Sequence, residues 1–137
     1  MRSEASVLDY LIQVLAFTME SHLDALAAVE AEVARLDAGQ ADRSPLARAL
    51  ERLRELRSAL RERFTQLNSY IEEAPTSYLD DAYALVGYYL EAGARGELRA
   101  LERASRYADV RADEGEVEEL VALGRVILSR LSARLGE

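Results

Sequence analysis

His22 is the only imidazole in a chain of 137 residues, and its chemistry depends on where its helix points the ring. An exposed imidazole nitrogen can accept a phosphoryl group, whereas a buried one serves as a polar member of a core or as a contact responsive to pH. Glu116 and Glu119 form a second candidate set. Three residues apart on a helix, they share a face and could touch one hydrated divalent ion, but acids in a first turn also serve the helix dipole. Arg57 is the third, a guanidinium on an otherwise apolar stripe. Either its stem packs while its head reaches outward to a glutamate, or it makes a buried polar contact that fixes helix register or partner. There is no cysteine, so thiolate metal sites, disulfides and a cysteine nucleophile are excluded. Glycine-rich phosphate loops, serine triads and the paired Glu-x-x-His motifs of di-iron bundles are missing as well. The expectation is a non-enzymatic protein with no cofactor and no metal.

The stripe that carries His22 is Leu8, Ile12, Leu15, Met19, His22, Leu26, Val29, Val33 and Leu36, spaced alternately by four and three residues. That spacing specifies a long helix packed lengthwise on other helices. It turns His22 toward the seam and leaves Glu20 and Asp24 facing away. The text from Phe17 to Asp24 superficially resembles the phosphoacceptor box of sensor kinases. However, Ala25 and Leu26 stand where a basic residue and glycine or proline follow in that box, and no ATP-binding domain is expected in residues 27–137. Histidine phosphotransfer through His22 therefore stays as an alternative that needs an exposed ring.

A first helix is expected over residues 4–38, with Ser3 as cap and Gly39 as stop. Ser44 as N-cap and Pro45 at the first helical position open a second, to residue 73. Its seam is Leu46, Leu50, Leu53, Arg57, Leu60, Phe64, Leu67 and Ile71. The short connection makes the two an antiparallel hairpin, setting Val29 near Leu53, His22 near Leu60 and Leu15 near Leu67. Residues 1–40 carry seven acids and two arginines, and residues 41–71 carry seven arginines and four acids, so the arms have opposite signs. Ala74 to Ser77 breaks the chain, with Thr76 or Ser77 as the next cap. Helices follow over 78–92, 97–109 and 116–135, separated by a 93–96 linker and a polar turn at 111–115. No strand pattern competes. The fold class is all-α, about five helices in one domain over 1–137: a long hairpin (1–73) and a three-helix portion (76–137).

The remaining chemistry is on surfaces. Five of the seven tyrosines fall between Tyr70 and Glu91, where no basic residue occurs. Tyr78, Asp80, Asp81 and Tyr88 share an outer face there, an acidic aromatic surface suited to a protein partner. Leu8, Leu11, Ile12, Val14, Leu15 and Phe17 cover more than one face of the first helix. Either the later helices fold over that end, or a second copy covers Leu8, Leu11, Ile12 and Leu15 in a homodimer. A net charge of −8 argues against direct nucleic-acid binding. All 17 basic residues are arginine, which together with abundant alanine and leucine points to a high-GC bacterial genome. No apolar run reaches the roughly 18 residues of a membrane span, so a cytoplasmic location is expected. The composite expectation is a protein–protein interaction module: an adaptor, chaperone-like escort or regulatory subunit, active as a homodimer. The alternatives are an acidic inhibitor masking a basic partner, the His22 phosphotransfer protein, and a helical subunit of a nucleic-acid machine, which requires the second helix's arginines to lie open.

Overall fold

The computed structural model describes residues 4–136, and the chain is all-helical over them. The expected cap Ser3 lies outside the described residues. Helix α1 is Glu4–Asp37 and α2 is Ser44–Tyr70. Helix α3 joins Thr76–Tyr88, a π-helical turn Tyr89–Gly93 and Ala94–Ala104 without interruption; α4 is Arg111–Leu135. Four helices therefore replace the five expected.

The expected linker at 93–96 is absent for a packing reason. Gly93 has helical dihedrals, and a Cβ there would stand 2.9 Å from Cδ1 of Tyr89. The glycine makes room for a ring one turn earlier, and the wider π turn accommodates the pair without ending the helix. Gly39, in contrast, does end α1, with φ of +103°, a conformation that favours glycine. The starts of three helices also differ from expectation. Ser44 is within α2 rather than capping it, and its N–H is taken by Asp42 Oδ1 at 2.9 Å. Neither Thr76 nor Ser77 caps α3, which follows Pro75 directly. The 111–115 segment is the first turn of α4, not a loop.

Helix α1 packs on α2 and α3, and α4 packs on α3 and α2. The cross-helix bonds give the directions. Arg54–Asp113, Arg61–Glu119 and Arg130–Asn68 advance together, so α2 and α4 are parallel; His22–Glu97, Glu30–Arg103 and Asp37–Arg106 do the same for α1 and α3. Two antiparallel hairpins thus lie side by side as a four-helix bundle. All four stripes meet in one core that includes Leu15, Leu60, Phe64, Ala100, Leu120 and Ile127. Arg134 closes one end by donating to the carbonyls of Ile71, Glu72 and Ala74, acceptors left open where α2 ends.

Leu8, Leu11 and Leu15 are buried within the single chain and Ile12 is half-buried, so these residues do not form an open dimer surface. Of the two ways to cover that end, the chain's own helices are the one observed. The large apolar side chains that stay open on α1 among the described residues are Tyr10, Phe17 and Leu23, 59%, 69% and 37% exposed.

A close approach of α3 and α4 depends on Gly124, where a Cβ would meet Leu90 Cδ2 at 3.0 Å and Phe64 Cε2 at 3.5 Å. Gly124→Val should cost about 1–3 kcal/mol by overpacking. Gly115→Ala, at a helical position with nothing within 4 Å, should add about 0.4–1 kcal/mol. Urea midpoints at unchanged slope check both; a neutral Gly124→Val would contradict the contact.

Candidate functional site

Each helix places one ionisable residue on its apolar seam, and the four meet in a single layer. On α1 it is His22 and on α2 Arg57, 1% and 2% exposed. On α3 it is Glu97, in register with Ala94, Leu101 and Ala104; on α4 it is Asp113, in register with Val117, Leu120, Gly124 and Ile127. Glu97 is 0% and Asp113 4% exposed. The bundle's spacing rule alone brings them together.

Glu97 bridges the two helices of the first hairpin. Its Oε1 pairs with His22 Nε2 at 2.9 Å, and its Oε2 accepts from Arg57 Nε at 2.9 Å, with Nη2 in charge contact at 2.8 Å but not hydrogen-bonded. A carboxylate only accepts, so the Nε2 of His22 carries a proton in this contact. Arg57 Nη1 then donates to Asp113 Oδ1 at 3.0 Å and to Glu116 Oε2 at 2.8 Å. Asp113 in turn holds Arg54 in a two-bond fork, Nε to Oδ1 at 2.8 Å and Nη2 to Oδ2 at 3.0 Å. The chain of charges runs from the buried imidazole to the α2–α4 edge, where Arg54, Asp113 and Glu116 line an open cleft of about 400 Å³.

The electrostatics follow from this geometry. Burial alone opposes the charge on Arg57, yet the field of Glu97 and the hydrogen bonds to Glu116, Glu97 and Asp113 hold its pKa above the ordinary guanidinium value. Burial pushes Asp113 up, but the hydrogen bonds from Arg54 and Arg57 outweigh it and hold the carboxyl below the usual aspartate range. Tyr89 packs beside the layer, 6.1 Å from the His22 ring and edge-on to Phe64 at 5.3 Å. Burial and then the charge of Glu97 push its phenol well above the usual value, and its Oη has no hydrogen-bond partner among the described residues.

Of the residues singled out in the sequence, His22 and Arg57 come together and Tyr78, Asp80, Asp81 and Tyr88 lie elsewhere. The ring of His22 is enclosed, so it offers no nitrogen to a phosphoryl donor in this conformation. Arg57 does not reach outward as the first reading had it; it is the buried polar contact. Glu116 and Glu119 are engaged by Arg57 and Arg61, and no group of three or more metal-type ligands is arranged around an ion among the described residues. Arg54, Arg57 and Arg61 turn to the acids of α4 rather than to α1. Glu30 and Asp37 of α1 pair instead with Arg103 of α3 and Arg106 just past its end, and Glu32 pairs with Arg35 within α1. Asp80, Asp81 and Tyr88 are exposed and Tyr78 is half-buried at the border of that face.

Sequence reasoning missed Glu97 and Asp113. Glu97 is the first residue of the helix expected over 97–109 and Asp113 falls in the turn expected at 111–115, whereas the structure sets Glu97 on the buried row of Ala94, Leu101 and Ala104 and Asp113 in the first turn of α4. Extending the alternate spacing backward from Leu101 and Val117 reaches both carboxylates. No protein-family model, no curated protein and no solved structure matches this chain. No helix among the described residues is long and apolar enough to cross a membrane.

Two outcomes follow. Arg57→Leu strands Glu97 in the core without its cation and leaves Asp113 with Arg54 alone, and should cost about 3–5 kcal/mol in urea unfolding; unchanged or higher stability would mean that the arginine is dispensable. The lowered pKa of Asp113 contributes stability that is present above the unfolded-state value of about 3.9 and is lost as pH falls through the folded-state value. Asp113→Asn should therefore lower stability at neutral pH and flatten the fall on the acid side, measured as urea midpoints across that range.

Proposed function

We propose that this chain is a non-enzymatic protein–protein interaction module of a bacterial cytoplasm, working as an adaptor, chaperone-like escort or regulatory subunit and associating with itself as a homodimer. The observation that carries the reading is the outer face of α3. Tyr83 and Tyr88 are 40% and 50% exposed there, beside exposed Asp80, Asp81 and Glu91. Tyrosine offers rigid contact area with a polar tip, and a helix in a packed bundle presents it at low entropic cost. The acids make a basic surface the complementary partner. A second reading draws on the same acids: an inhibitor or immunity-type protein that masks a basic partner. Loss of binding as salt rises separates the inhibitor from an adaptor held by its tyrosines.

A photo-crosslinking residue in place of Tyr88, in protein expressed with an affinity tag in its host, tests the reading. The expected result is one stoichiometric adduct, identified by mass spectrometry, that disappears on Asp80→Arg with Asp81→Arg and is not formed from Glu118 on α4. Adducts of equal yield from both positions, or none, would contradict it.

A further inference from the structure

We propose that the outer face of the α1–α2 hairpin is the docking surface for a second copy of this chain. The two-fold axis runs parallel to the helices, so that α1 of each protomer lies over α2 of the other. This deepens the self-association in the proposed function and rests on that reading, but it is independent of the α3 face. Tyr10 and Phe17, two turns apart on α1, are the two most exposed large apolar side chains of that helix. Tyr10 lines a groove of about 220 Å³ between the start of α1 and the end of α2, with Val7, Val14, Arg63, Gln66 and Tyr70. Farther along the hairpin the same seam is floored by Ser21, Ala25 and Ala28, small side chains that admit a helix closely. Neither α3 nor α4 can cover this face, because they occupy the opposite side of the hairpin.

Charge selects a second copy as the occupant and sets its orientation. The face presents the exposed Asp24 on α1 and two guanidinium groups on α2, Arg52, which also pairs with Glu55 of its own helix, and Arg63. Arg63 Nη1 donates to Gln66 Oε1 at 3.1 Å on the same helix. A two-fold axis along the helices sets acidic α1 on basic α2 twice over, whereas an axis across them would set α1 on α1 and α2 on α2, like charge on like. Size also fits. The 27 residues of α2 make a face about 40 Å long and, two helices wide, about 20 Å across. That is about 800 Å² per partner, the span of an ordinary stable interface.

The absence of cysteine gives a clean test. Val14→Cys, Ser21→Cys and Ala28→Cys, one heptad apart beside the proposed axis, are each treated with a short bis-maleimide, and mass in solution is read by analytical ultracentrifugation. The proposal expects a wild-type dimer, self-crosslinking at all three positions, and a Phe17→Glu variant whose dimer dissociates at least roughly tenfold more readily with its helical circular dichroism unchanged. A wild-type dimer that crosslinks at none of the three, or that Phe17→Glu leaves intact, would overturn this face while leaving self-association standing. A monomer at high micromolar concentration would overturn both, and the α3 reading keeps its own crosslinking test.

Discussion

The structure depends on a cation in the wrong solvent. Arg57 sits 2% exposed at the centre of a helical bundle, and an uncompensated guanidinium there would cost several kcal/mol even after relaxation. Glu97 from α3 and Asp113 from α4 compensate it, so the arginine is both buried and paired only with the second hairpin in place. His22 then fills the remaining oxygen of Glu97. One interaction thereby ties all four helices at a single level, and it is satisfied only when each stands in its proper register.

Such a layer contributes more to uniqueness than to stability, since well-packed apolar residues of the same volume would hold the bundle at least as firmly. Four amphipathic helices can close into a bundle of either hand with similar apolar burial. Here charge separates the two. The observed arrangement sets the arginines of α2 against Asp113, Glu116 and Glu119 at the start of α4, and Glu30 and Asp37 of α1 against Arg103 of α3 and Arg106 just past its end. Exchanging α3 and α4 would bring the acids of α1 against those of α4. The buried layer and the rim charges agree on one topology, which is how a sequence dominated by leucine, alanine and arginine specifies a single fold.

The hairpin was legible because its two seams run unbroken through Leu8 to Leu36 and Leu46 to Ile71, and Gly39 ends the first helix as a glycine with positive φ does. His22 and Arg57 stood out for the same reason, as polar residues on apolar rows. The third helix was misread because Gly93 and Gly96 look like a break when propensity is judged locally. Their actual role is steric: Gly93 clears the Tyr89 ring, and a Cβ on Gly96 would lie 3.4 Å from Leu26 Cδ1 across the α1–α3 contact. With the break assumed, Glu97 became a first-turn acid and its partnership with Arg57 was hidden. The opposite charges of α1 and α2 were real, but the arms direct them toward the second hairpin rather than toward each other, a choice that only the packing of all four helices decides.

The four buried ionisable groups of this chain are bound to one another across its four helices. The central claim is that Arg57 and Glu97 act as one unit, and a double-mutant cycle of Arg57→Met and Glu97→Met, read by urea unfolding at neutral pH, tests it most directly. The account predicts that the double variant is more stable than either single one, with a coupling of about 2–3 kcal/mol. Losses that simply add would contradict it.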